Sequence, residues 1–132
     1  MGAGGVRPER DPPGRAEVLH ESARTRVTRL FVDGRAVIRK QPLGPDAPRR
    51  LRHELTILQR LLGVAGVPQL LEAPRYPGSI VTEDVDGTSL VRLSTPVDGD
   101  ELIGLAVQLA RVVAGMHRRG VMHRDIAPAN VV

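Results

Sequence analysis

The sequence predicts an α+β chain in which a small antiparallel sheet comes first and helices come after it. Three observations predict it. Period-two alternation is concentrated in residues 16–41, where Val27, Arg29 and Phe31 alternate with Thr28, Leu30 and Val32. Asp33-Gly34 comes next, a dipeptide suited to the positive φ values of a two-residue hairpin. Beyond residue 45 the apolar spacing changes to three and four. Leu51, Leu55, Leu58 and Leu62 form one stripe, and Leu102, Leu105, Leu109, Val112, Val113 and Met116 form another.

Composition bounds the class. The chain has 132 residues, which is one small domain or part of a larger one. Its hydrophobic content of 41% suffices for a core, built mainly from Leu, Val and Ala, with Phe31 and Tyr76 the only aromatics. With no cysteine, disulfide and thiolate chemistry are excluded. The net charge is +4, and of 19 basic residues Lys40 is the only lysine. The arginines are scattered among acidic residues and there are almost no aromatics to stack on bases. The charge therefore reads as solvated surface, with no nucleic-acid partner expected. No apolar run reaches the length of a membrane span, and no apolar signal core is found near the N-terminus, so a cytoplasmic protein is expected.

Residues 1–15, rich in Gly, Pro and Arg, are expected to be a disordered leader. Val18-Leu19 begins a first strand, residues 27–32 form a second, and residues 36–40 form a third, closed by Pro42 and Gly44. The neighbouring Arg39 and Lys40 leave the register of that third strand open by one residue. Residues 46–62 read as a helix ended by Gly63. Residues 67–72 and 79–83 are further strand candidates on either side of a Pro-Gly turn, with a polar segment from Glu83 to Leu90 after them. Residues 96–119 form the longest helix, with Asp98 and Asp100 as candidate caps and Gly120 placed to end it. His20, His53 and His117 lack the spacing and company of a metal site.

Just before the final Val131-Val132 the sequence reads His123-Arg124-Asp125-Ile126-Ala127-Pro128-Ala129-Asn130. Pro128 disfavours helix, so Asp125 and Asn130 share a loop that can aim a carboxylate and a carboxamide at one point. A carboxylate can take a proton from a hydroxyl, and a carboxamide oxygen can hold a hard cation. This octapeptide resembles the catalytic loop of the protein-kinase family, H-R-D-x-x-x-x-N. Val37-Ile38-Arg39-Lys40 is similar to the family's V-A-I-K, and Glu54 lies fourteen residues beyond, where the family's helix C carries a Glu.

The resemblance implies a kinase-like small lobe (antiparallel sheet plus helix C) over residues 16–83. The hinge and the first helices and catalytic loop of an incomplete large lobe then occupy 84–132. It implies ATP and Mg²⁺ as cofactors and a protein hydroxyl as acceptor, most simply on Ser or Thr. Asp125 would be the catalytic base and Asn130 the metal ligand. Lys40 would hold the α- and β-phosphates, with Glu54 holding Lys40. Thr82 would sit at the back of the adenine pocket, Glu83 to Val85 would offer backbone groups to the base, and Val27 and Ile38 would also belong to the cofactor site. Counting back from Val27 puts His20, Ser22 and Thr25 where the phosphate loop has glycines, so the hydroxyls of Ser22 and Thr25 are the candidate phosphate donors. Ala127 stands where Ser/Thr kinases usually carry Lys.

The resemblance covers residues 16–132 but only the first half of a kinase domain, since D-F-G and A-P-E do not come after Asn130. A parent with further domains is expected, and this polypeptide alone is expected to be inactive. Without the resemblance, the residues have plainer roles. Asp125 and Asn130 suit an ordinary turn, Lys40 a strand end, and Glu54 a solvated helix face with Arg50 at i−4. Two alternatives stand beside the kinase: a non-catalytic kinase-like module that binds and regulates a partner, and a small-molecule phosphotransferase with an H-x-D-x-x-x-x-N loop.

Overall fold

Asp33 and Gly34 both take positive φ, 50° and 79°. That is the geometry of a hairpin whose twist matches its strands, and glycine adopts it without a Cβ penalty. The turn folds β2 (Thr25–Val32) back on β3 (Arg35–Pro42) in continuous antiparallel register, Val32 opposite Arg35 through Thr25 opposite Pro42. β1 (Glu17–Glu21) pairs with the outer edge of β2, with an irregularity between Val18 and His20. β4 (Ile80–Glu83) pairs with β3, so the sheet order is β1-β2-β3-β4 and every pair is antiparallel. The computed structural model describes residues 16–73, 75–94, 96–124, 126–127 and 130–132. The expected leader, residues 1–15, lies outside them.

Two helices complete the fold, α1 (Ala47–Arg60) and α2 (Gly99–Arg118), with a short 3-10 turn at Leu90–Arg92. α2 begins at a reciprocal capping box. Asp98 Oδ1 accepts from Glu101 N at 2.9 Å, and Glu101 Oε2 accepts from Asp98 N at 3.3 Å. It ends in paired bonds, Val121 N to Met116 O at 3.0 Å and Gly120 N to His117 O at 2.9 Å, which satisfy two terminal carbonyls.

The chain divides into two compact units. The first comprises the described part of Met1–Arg52 with Leu71–Asp84, the second His53–Leu70 with Val85–Val132. In the first, Leu30, Val37 and Val81 make a core under Val32, Ala73 and Tyr76. In the second, Leu61, Val64, Met116 and Val121 are buried, with Ile57, Val67 and Val112 packed against them.

Three expectations need correction. Residues 67–72 form no regular strand: Leu70 makes only an isolated bridge, and Leu71 N donates to Val81 O of β4 at 2.8 Å. Pro68 has no N–H to give, and Gln69 folds the segment on itself, accepting from Gly63 N at 2.7 Å and donating to Val67 O at 2.8 Å. The first helix stops at Arg60, and i→i−3 bonds from Leu62 N to Gln59 O and from Val64 N to Leu61 O tighten the turn beyond it. Leu61 is therefore buried and Leu62, expected in the stripe, is exposed. Leu102, expected on the buried face of α2, is 59% exposed, because the buried partners of that helix gather at its C-terminal end.

Candidate functional site

The β3 register decides which side chains share a face. Lys40 sits opposite Val27 on β2 and Ile80 on β4, and Ile38 sits opposite Arg29 and Thr82. Cross-strand partners project to the same side of a sheet. Val27, Arg29, Ile38, Lys40 and Thr82 therefore lie together on one face, half-buried, with Ile80, opposite the lysine, at 1% exposure. Arg39 points to the other face, with Thr28 and Val81. There it is buried, its guanidinium 4.5 Å from the centre of the Tyr76 ring and its Nε donating to Ser79 Oγ at 2.9 Å. The one-residue ambiguity in β3 is thus settled. Lys40 borders the Val27 face, and the aromatic ring and the serine hold the arginine behind it. Glu83, opposite Val37, is on the Arg39 face, and Val85 is exposed in the second unit.

The β1–β2 turn beside this face has no glycine. Ser22 holds it instead, its N–H donating to Thr25 O at 2.9 Å and its Oγ accepting from Thr25 N at 3.1 Å and Arg24 N at 3.3 Å. The Ser22 hydroxyl thus closes the turn and donates to Thr25 O at 3.3 Å. Thr25 is half-buried and alternates onto the Val27 side. Sequence reasoning gave no role to the charged contacts around this turn. Arg50, from the first turn of α1, donates through Nη2 to Arg24 O at 2.9 Å and to Leu43 O at 2.6 Å. Its Nε lies 3.2 Å from Asp46 Oδ1, and Arg24 Nη2 lies 3.1 Å from Asp46 Oδ2. Burial pushes the Asp46 carboxyl up, but Arg50 and then Arg24 outweigh it and hold that carboxyl below the usual aspartate value.

Arg29 also went unassigned in the sequence. Its Nε donates to Asp84 Oδ2 at 2.7 Å and its Nη1 to Glu17 Oε2 at 2.9 Å, tying β1 and β2 to the residue just after β4. Hydrogen bonds to Asp84 first, then Glu17, push the Arg29 guanidinium above its ordinary value. The only sequence signal was a charge at an apolar phase position of β2. Its partner lies 55 residues away, beyond any local rule.

In the second unit, a cavity of about 440 Å³ lies between the C-terminal half of α1 and α2, lined by apolar side chains such as Leu58, Leu109 and Val112. Glu54, His123 and Asn130 line the same cavity. A carboxylate, an imidazole and a carboxamide thus line one largely apolar, half-open pocket. Asn130 is placed by its own N–H, which donates to Ala127 O at 2.9 Å, and by Leu90 N, which donates to Val131 O at 2.9 Å. Asp125, the expected catalytic base, lies outside the described residues. Among the described residues no cluster of three or more His, Cys, Asp or Glu could hold a metal ion. No described helix is long and apolar enough to cross a membrane.

No family model matches the chain. Two crystal structures of the kinase domain of PknI from Mycobacterium tuberculosis are similar to it. One has a TM-score of 0.61 at 22% identity, over 86% of this chain and 51% of that one. The other has a TM-score of 0.62 at 23% identity, over 86% of this chain and 50% of that one. The chain spans about half the length of these structures. A four-stranded antiparallel sheet with helices, the sheet as in the small lobe of a kinase domain, is the fold of this protein.

Proposed function

We propose that the chain is the N-terminal half of an ATP-dependent protein kinase domain of Ser/Thr type, acting in the cytoplasm within a longer protein. The observation that carries this reading is the shared sheet face. Val27 and Ile38 offer apolar surface for a base, Thr82 stands beside Ile38, and Lys40 places a compact cation at the border. A planar base against the apolar pair would leave its phosphates within reach of the ammonium. Asn130, in the second unit, would contribute an oxygen to Mg²⁺. Mg-ATP would supply the phosphoryl group, and Asp125 would orient the acceptor hydroxyl of a protein substrate.

Thermal-shift titration with Mg-ATP tests the reading on the 132-residue chain. A ligand that binds only the folded form raises its melting temperature, so wild type should shift upward and Lys40→Ala should lose most of that shift. A wild-type chain that does not respond to Mg-ATP overturns nucleotide binding.

One observation favours a second reading, a non-catalytic kinase-like module that regulates a partner. The turn where kinases keep flexible glycines is closed here by Ser22, whose hydroxyl is engaged in the turn itself. In a protein carrying both halves of the domain, retained Mg-ATP binding without label transfer to any protein would support that reading.

A further inference from the structure

The tip of the β1–β2 turn is Ala23-Arg24, and it is gripped from the start of α1. Arg24 O accepts from Leu43 N at 2.7 Å and from Arg50 Nη2 at 2.9 Å, and the same Nη2 reaches Leu43 O at 2.6 Å. Asp46 lies between the two guanidiniums, 3.1 Å from Arg24 Nη2 and 3.2 Å from Arg50 Nε. One carboxylate and two arginines thus fasten three segments: the turn, the β3–α1 connection and the first turn of α1. The side chain of Arg50 is only 25% exposed, whereas that of Arg24 is 69% exposed. The inner half of the clasp is therefore partly shielded from water and ions, and the outer half is open to them.

We propose that Arg50 is a positioning residue that fixes the β1–β2 turn at the Lys40 end of β3 and so sets where phosphate can sit. The inference rests on the nucleotide reading above. Thr25, at the foot of the turn, begins the strand that carries Val27 opposite Lys40. A glycine-rich turn can drape over phosphate after the ligand arrives. This turn has no glycine, and its tip is fastened to a helix through charge-assisted bonds. Its position at the end of β3 is consequently set before any ligand binds. Preorganisation of this kind favours a ligand of matching shape by lowering the ordering cost of binding. The part of a nucleotide that senses the clasp is its phosphate chain, while the nucleoside rests on Val27 and Ile38.

Calorimetric titration of the 132-residue chain with Mg-ATP and, separately, with adenosine tests this. Arg50→Met, which keeps the length and loses the donors, should weaken Mg-ATP about tenfold, the scale of the charge-assisted bond that holds the turn at Arg24 O, and leave adenosine unchanged. Arg50→Lys should recover part of the loss, because an ammonium can still reach a carbonyl. Arg24→Ala removes only the exposed partner of Asp46 and guards against misfolding of the Arg50 variant. It should weaken Mg-ATP to a smaller degree, again sparing adenosine. If Arg50→Met and Arg24→Ala bind Mg-ATP as wild type does, or lose both ligands in equal measure, the positioning role is overturned while the nucleotide reading stands. A wild-type chain that binds neither ligand sinks the nucleotide reading and this inference with it.

Discussion

Asp46 shows how one residue can carry a pH dependence. Burial alone would raise its carboxyl, yet Arg50 and Arg24 bring it below the usual aspartate value. A carboxyl whose folded value lies below its unfolded value stabilises the fold fully above the unfolded value. That contribution is lost as pH falls through the folded value. Asp46→Asn should therefore melt lower than wild type at neutral pH, and the gap between the two melting temperatures should close below about pH 4. A gap of constant size across that range would show that the two arginines do not act through the charge of Asp46. Lys40 and Arg39 make a different point. Adjacent cations in one strand have opposite environments, because successive side chains project to opposite faces. Sequence alone could not choose between them, since the choice depends on the pairing of β3 with β2 and β4.

Among the elements, α2 was the most legible. Its capping residue Asp98, its C-terminal Gly120 and its buried Met116 all obey local rules. The segment after α1 was least legible, because side-chain bonds of Gln69 decide it. Gly66 in that segment has φ +83° and packs so closely on α2 that an added Cβ would run into Val112 Cγ2. Gly66→Ala should destabilise the second unit by about 1–3 kcal/mol, the usual cost of overpacking, measured by urea unfolding. Adding Val112→Ala should recover only part, since the positive φ still disfavours alanine. Full recovery would place the whole cost in the steric clash.

For the whole molecule, burial separates what can be changed from what cannot. Ile80 is 1% exposed, and Ile80→Ala should cost about 2–5 kcal/mol of unfolding free energy. Leu102 and Ile103, at 59% and 64% exposure, form an apolar patch on α2, and Leu102→Glu should raise solubility with a stability change within about 0.5 kcal/mol. A large loss from Leu102→Glu would mean that α2 is covered in solution. By itself the sequence determined the antiparallel hairpins, both helices, and the residue types able to face a phosphate or a cation. Turn chemistry, apolar period and capping act over a few residues, which is why they can be read along the chain. Only the tertiary structure decided that Lys40 shares a face with Val27, Ile38 and Thr82, that Glu54, His123 and Asn130 line one cavity, and that Arg24, Asp46 and Arg50 join. Those pairings depend on strand register and on contacts between residues distant in the chain, and no local propensity encodes either.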